Sequence, residues 1–274
     1  MERKGKALTM SVFARRKQKG EKIVVLTAYD LTSALIAAAG GVDAILVGDS
    51  LGMVVLGYEN TLPVTLDEMV HHCKAVCRAQ PKVPVIADMP YGSFHVSTAE
   101  TVRAGLRLVK EAGVNAVKVE GGRLRAEAIR GLIEAEIPVM GHLGLTPQSV
   151  NRFGGYRVQG RSDDAAAQLL DEARFLEDAG CFALVLECVP SVLAERISSQ
   201  LTIPTIGIGA GPGCDGQVLV IHDMLGMFDG LKPKFVKRFA ELGTAAVQAV
   251  ESFAAEVRNG SFPGPEHQYD EAPS

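Results

Sequence analysis

The chain has 274 residues, 47 % hydrophobic and 22 % charged, enough for one substantial core and without a compositional break to mark a domain boundary. A net charge of −4 gives no electrostatic footprint for nucleic acid, and no apolar run approaches the span of a bilayer. The expectation is a single cytoplasmic domain over 1–274 with neither nucleic-acid nor membrane partner. The five cysteines are scattered and odd in number, which fits reduced thiols rather than a disulfide framework.

The N-terminal segment is basic but lacks the apolar centre of a secretory signal. A transit peptide competes with the reading adopted, in which Thr9 or Ser11 caps a helix over about 9–20. Ile23-Val24-Val25-Leu26-Thr27 reads as the first strand, followed by an alanine-rich helix over 33–39. Two local patterns then alternate. In one, Ala-Gly precedes an apolar run that closes on an acid, as at Ala39 to Asp49, Ala112 to Glu120 and Ala179 to Glu187. In the other, a proline precedes a short buried strand, as at Val83 to Asp88, Ile137 to His142 and Ile203 to Ile208.

Thr65-Leu66-Asp67-Glu68 and Ser97-Thr98-Ala99-Glu100 are capping boxes that open helices, the second stopping at Gly113. Further helices are expected over 125–135, from Ser162 to Gly180, after Ser191, over 217–225, and over 240–257. The eighth strand is placed at Lys234-Phe235-Val236, and an irregular tail runs over about 260–274. Strands alternating with helices imply a parallel sheet with right-handed crossovers. Repetition of that unit over this length points to an α/β fold of the (β/α)8 TIM-barrel type, with an open doubly wound sheet as the alternative. The barrel is favoured because polar residues recur at the strands' carboxyl ends, which a barrel gathers at one mouth.

Lys118 and Glu120 are two positions apart in one strand and project to the same face. In a closed barrel they would share a rim with Asp49, Asp88, His142 and Glu187. Carboxylates crowded in one cavity repel unless cations offset them. Lys118 supplies one charge, and an oxygen donor set favours a hard divalent ion, Mg2+, with Asp49, Asp88 and Glu120 as candidate ligands. A hydrogen-bonded structural network is the competing reading. Glu187 follows an apolar run, a setting that suits a carboxylate to general-base work. His142 could orient a substrate oxygen, relay a proton or simply pack.

His71-His72-Cys73-Lys74-Ala75-Val76-Cys77 has the look of a zinc cluster, but no second ligand pair is suitably spaced, and helix packing is preferred. The glycines of Gly207 to Gly213 imitate a dinucleotide fingerprint, yet they follow the seventh strand and not the first.

Taken together, Val47-Gly48-Asp49-Ser50-Leu51-Gly52-Met53, Thr61-Leu62-Pro63-Val64-Thr65, Val117-Lys118-Val119-Glu120-Gly121-Gly122, Gly141-His142-Leu143-Gly144-Leu145-Thr146-Pro147-Gln148-Ser149, Leu186-Glu187-Cys188-Val189-Pro190 and the glycines from Gly207 to Gly216 closely resemble the ketopantoate hydroxymethyltransferases. The resemblance runs from about Thr9 to His267. It implies a Mg2+-dependent barrel of the phosphoenolpyruvate/pyruvate superfamily acting in pantothenate biosynthesis. The implied reaction moves a one-carbon unit from 5,10-methylenetetrahydrofolate to 3-methyl-2-oxobutanoate, giving 2-dehydropantoate. The resemblance carries metal ligation to Asp49, Asp88 and Glu120, substrate contact to Asp49, Ser50, Asp88 and Lys118, and proton abstraction to Glu187; His142 is given a supporting role from its place on the rim. It also implies a homo-oligomer, expected to be a decamer. Arg152 to Arg161, rich in glycine and arginine, would suit a lid over the folate. A lyase or mutase of the same superfamily is the rival activity, and a non-catalytic metabolite-binding barrel the rival class.

Overall fold

A computed structural model describes residues 10–228, 230 and 233–269. It divides into two compact units, the first ending at Ile221 and the second starting at His222.

In the first unit β1 (Ile23–Thr27), β2 (Ala44–Val47), β3 (Val85–Asp88), β4 (Ala116–Glu120), β5 (Val139–Gly144), β6 (Ala183–Glu187), β7 (Thr205–Ile208) and β8 (Gly216–Leu219) form a closed barrel in sequence order. Every neighbouring pair is parallel, and β1 closes the ring on β8 with Val25 opposite Val218. The (β/α)8 expectation therefore holds, and the open sheet is excluded.

One parity of residues fills the barrel. Ile23, Val25, Ala44, Leu46, Ile86, Ala116, Met140, Ala183, Val185, Ile206 and Val218 pack into a single buried cluster. Continuing that parity towards the strands' carboxyl ends reaches Asp88, Lys118, Glu120, His142 and Glu187. Because side chains alternate along a strand, the register that buries the apolar lower layers also aims these five into the mouth. The opposite parity, including Ile45, Val47, Val117, Val119, Leu184 and Leu186, is buried and faces the surrounding helices.

Helix α1 (Ser11–Lys19) sends Phe13 into this cluster, where it is fully buried and meets the Phe182 ring edge-on at 5.3 Å. Lys17 fastens the helix by donating to the carbonyls of Ser198 and Ile203 and to Asp215 Oδ2, at 2.8, 3.0 and 2.9 Å. Phe13→Ala should therefore cost about 3–5 kcal/mol, read as a lower urea midpoint at unchanged slope. An unchanged midpoint would show that Phe13 does not plug the core.

The outer helices include α2 (Leu31–Ala39), α3 (Leu51–Val54), α4 (Leu66–Arg78), α5 (Thr98–Arg107), α6 (Ala126–Glu134), α7 (Val150–Phe153), α8 (Asp163–Asp178) and α9 (Ser191–Gln200). Thr65 and Glu68 close the expected reciprocal box on α4. Ser97 caps α5 through the Glu100 amide, and the helix continues through a π-helical turn, Leu108–Ala112, to a left-handed stop at Gly113. Cys73 of the histidine–cysteine stretch is a buried core residue, and His72 Nδ1 lies 2.7 Å from the Tyr29 carbonyl.

Five expectations need correction. The eighth strand is Gly216–Leu219 and not 234–236, so the helix expected over 217–225 shrinks to α10 (Ile221–Leu225). Gly216 explains the misreading, because a strand glycine normally weakens a strand assignment. Here it is required: a side chain would run into the Ile23 carbonyl of the strand alongside. Ser11 lies inside α1, whose N-cap is Met10 without a side-chain bond, while Thr9 falls outside the described residues. Ser191 is likewise the first residue of α9, behind Pro190 at the N-cap. Finally, α2 starts two residues earlier than expected, because Asp30 and Ser33 form a capping box of their own.

The second unit holds α11 (Leu242–Asn259), with no buried residue, and a short 3-10 turn at Pro265–His267. Within it, Phe253 and Phe262 stack edge-on at 5.5 Å.

Candidate active site

The mouth is built from the strand ends. Lys118 Nζ pairs with Asp88 Oδ1 at 2.9 Å and reaches His142 Nδ1 at 3.1 Å. His142, opposite Glu120 in the register, places Nδ1 3.5 Å from Glu120 Oε1 and Nε2 3.2 Å from Glu187 Oε2. Because the ammonium can only donate, Nδ1 of a neutral ring accepts, and its hydrogen sits on Nε2, facing Glu187. Asp49 follows β2 and donates its backbone N–H to Asp88 Oδ2 at 3.1 Å. Ser50, next in the chain, bonds Tyr29 Oη through its hydroxyl at 2.8 Å. Gly48 makes this approach feasible, since a side chain there would meet Ser50 Oγ at 2.7 Å and Asp88 Oδ2 at 3.5 Å.

Gln148 was not singled out by sequence reasoning, yet it ties the acids together. Its amide nitrogen donates to Asp49 Oδ2 at 2.8 Å and to the Met89 carbonyl at 2.9 Å, while its backbone N–H donates to Glu120 Oε2 at 3.0 Å. Pro147 opens the 3-10 turn that presents this N–H. The signal in the sequence was a polar side chain just after a rim strand. It looked like ordinary loop composition.

The electrostatics follow from burial and crowding. Burial, with Asp88 and Glu120 nearby, pushes Asp49 well above the usual carboxylate range, against weaker opposition from Lys118 and Gln148. Burial also works against charge on Lys118, but Asp88, Glu120 and Asp49 outweigh it and raise the ammonium above its ordinary value. On His142, burial and Lys118 lower the pKa, and Glu120 and Glu187 more than compensate. Glu120 is held low despite burial by His142, Lys118 and the Gln148 amide.

All five inward-facing expected residues, with Asp49, thus share one buried network, while Ser50 adjoins it through Gly48. Among the described residues, no three His, Cys, Asp or Glu side chains converge as a ready-made metal cage. Asp49 meets the Asp88 carboxylate through its backbone N–H while its own carboxylate accepts from Gln148, and Glu120 is turned to Gln148 and His142. The donor chemistry nevertheless fits a hard divalent ion, which takes few protein carboxylates and completes its shell with water and substrate. Asp88 Oδ1 has no aligned hydrogen bond, and among the described residues Lys118 is the cation that acts on Asp49.

The backbone around Glu187 is tightly fixed. Leu145 N–H donates to the Glu187 carbonyl at 2.8 Å, and Cys188, left-handed at φ +48°, donates to the Ile208 carbonyl at 2.9 Å. Gly144 has φ +91°, and a methyl group there would overlap the Glu187 carbonyl oxygen. Gly144→Ala is expected to cost about 1–3 kcal/mol and to lower activity by displacing Glu187. Urea unfolding and steady-state kinetics on the same preparation check both parts; wild-type behaviour in either would contradict this role for Gly144.

A closed parallel barrel with titratable groups gathered at the carboxyl ends of its strands defines a barrel enzyme. A 2,3-dimethylmalate lyase, of the PEP mutase/isocitrate lyase superfamily, shares this fold at TM-score 0.60 and 19 % identity, covering 98 % of this chain and 93 % of that one. The family model for ketopantoate hydroxymethyltransferase matches residues 7–265, and this chain belongs to that family. It is a hydroxymethyltransferase. The 3-methyl-2-oxobutanoate hydroxymethyltransferase of Heliobacterium modesticaldum is 53 % identical over 264 residues, 96 % of each chain. That of Moorella thermoacetica is 55 % identical over 262 residues, 96 % of this chain and 97 % of that one. Among the described residues, no helix is long and apolar enough to cross a membrane.

Proposed function

We propose that this enzyme transfers a hydroxymethyl group from 5,10-methylenetetrahydrofolate to 3-methyl-2-oxobutanoate, with Mg2+, giving 2-dehydropantoate and tetrahydrofolate in pantothenate biosynthesis. Family membership supports the acceptor, and the observation that carries the chemistry is the buried network joining Asp49, Asp88, Lys118, Glu120, His142 and Glu187.

Asp49, Asp88 and Glu120 are the residues that would hold Mg2+. When bound, the ion supplies Lewis-acid stabilisation of negative charge developing on the acceptor's ketone oxygen. Asp49, Ser50, Asp88 and Lys118 line the place where the oxo acid would sit, and the Lys118 ammonium offers a charged donor to its oxygens. Glu187, only partly buried at 15 % side-chain exposure, takes the C3 proton. Both carbon–nitrogen bonds of the donor's methylene group break: water adds to that carbon and supplies the hydroxyl oxygen, the electron pair released at C3 forms the new carbon–carbon bond, and the C3 proton and one water proton end on the two folate nitrogens. His142 Nε2–H, beside Glu187, holds that carboxylate in position.

Incubation with 3-methyl-2-oxobutanoate, methylenetetrahydrofolate and Mg2+ should give 2-dehydropantoate, and removal of divalent ions with EDTA should stop it. Absence of product with Mg2+ present would refute the reading; product formation unaffected by EDTA would remove the metal from it.

A further inference from the structure

Beside the acidic network lies a cavity of about 430 Å3 whose lining includes Glu120 and Gln148 of that network together with Arg125 and Arg152. Its volume falls within the range of about 300–1,000 Å3 that extended small ligands occupy, and it is several times what a five-carbon oxo acid fills. Something longer fits it.

The two arginines face the cavity without a polar partner among the described residues. The neighbouring Arg123 is neutralised by Asp171 at 2.8 Å, but Arg125 and Arg152 make no ion pair or side-chain hydrogen bond among the described residues. Each guanidinium instead leans on an aromatic ring, Arg125 at 5.7 Å from Phe94 and Arg152 at 5.8 Å from Phe153. A guanidinium stacked on a ring keeps its N–H edge free for a planar anion. Arg125 is held below its ordinary pKa by burial and by the Arg152 charge, so the two cations feel each other. His95, also in the wall, is pushed down to about 4 by burial and Arg125. It adds no further positive charge at neutral pH. Of the acids in the wall, Glu120 belongs to the catalytic network and Glu172 accepts the Arg123 backbone N–H at 2.5 Å. The arginine charge is left for a ligand.

We propose that Arg125 and Arg152 form the binding site for the carboxylate-bearing glutamate end of the one-carbon donor, whose reacting end then lies in the same cavity towards Glu120. This rests on the donor being the folate named above. The donor has the required shape: an extended, partly aromatic body with its negative charge at the end remote from the transferred carbon. Phe94 and Phe153 offer apolar surface along its path. The cavity thus assigns the acceptor to the acidic network and the donor's tail to the arginine wall.

Arg125→Gln, Arg152→Gln and the double variant test this. The double variant should raise the KM for methylenetetrahydrofolate about tenfold or more, the loss expected for charged hydrogen bonds to a carboxylate. A donor analogue with its glutamate carboxylates converted to amides should show that same raised KM with the unsubstituted and doubly substituted enzymes alike. Arg→Lys variants, which keep the charge without the fork, should recover part of the difference. Solvent exchange of the acceptor's C3 proton, which needs no donor, reports folding of the variants. An unchanged donor KM, a carboxylate-free analogue whose KM rises with the substitutions as much as the parent donor's, or altered assembly in sedimentation would overturn the subsite. Failure of the unsubstituted enzyme to use methylenetetrahydrofolate, with C3 exchange intact, would instead overturn the donor assignment on which it rests.

Discussion

Glu187→Gln is expected to abolish exchange of the C3 proton of 3-methyl-2-oxobutanoate while leaving binding of the oxo acid in place. The amide has nearly the shape of the carboxylate and keeps an oxygen beside His142 Nε2, which lies 3.2 Å from Glu187 Oε2 in the unsubstituted protein, but it cannot take a proton. Backbone support for the position is independent of the side chain, since it comes from Leu145, Cys188 and Gly144. The variant should therefore fold, bind and fail to enolise. General-base contributions are about 10²–10⁴-fold, and the exchange rate followed by NMR in D2O should fall by that order. Binding, followed by titration calorimetry with Mg2+ present, should change little. An exchange rate within a few-fold of the unsubstituted enzyme would assign proton abstraction to another group, and His142 would then be the first to replace.

Much of this arrangement was legible in the residues. The acids at the ends of apolar runs carry a topological meaning only if the strands are parallel and close, and in a closed parallel barrel they must meet at one mouth. Parity did the rest: Lys118 and Glu120 share the face of Ala116, and Asp88 that of Ile86, so the apolar layers and the polar rim follow from one register. What stayed hidden depends on contacts far apart in sequence. Gln148 gains its importance from Asp49 and Met89, 99 and 59 residues away. Lys17 looked like one of several surface bases, but it fastens α1 to Asp215 across 198 residues. The last strand was misplaced because its glycine is permitted by the Ile23 backbone of β1, a neighbour that only ring closure supplies.

Lys118→Met is expected to destabilise the protein by about 3–5 kcal/mol in the absence of divalent ions, because it removes the partner and leaves Asp88 buried without its counter-charge. The methionine side chain preserves the apolar stem and much of the volume, so lost packing contributes little. Lys118 and Asp88 are both 5 % exposed in their side chains, which leaves water little access to make up the loss. Asp49 and Glu120 would aggravate it, as both stabilise the ammonium in the unsubstituted protein. The same substitution tests the metal. If Mg2+ occupies the Asp49–Asp88 position, it replaces positive charge that the variant lacks, and saturating Mg2+ should restore more stability to Lys118→Met than to the parent. Urea unfolding of both proteins, with EDTA and with Mg2+, measures the four midpoints needed. Equal Mg2+ effects on the two would place any ion away from Asp88, and a midpoint unmoved by the substitution would mean that the Lys118–Asp88 pair does not stabilise the mouth.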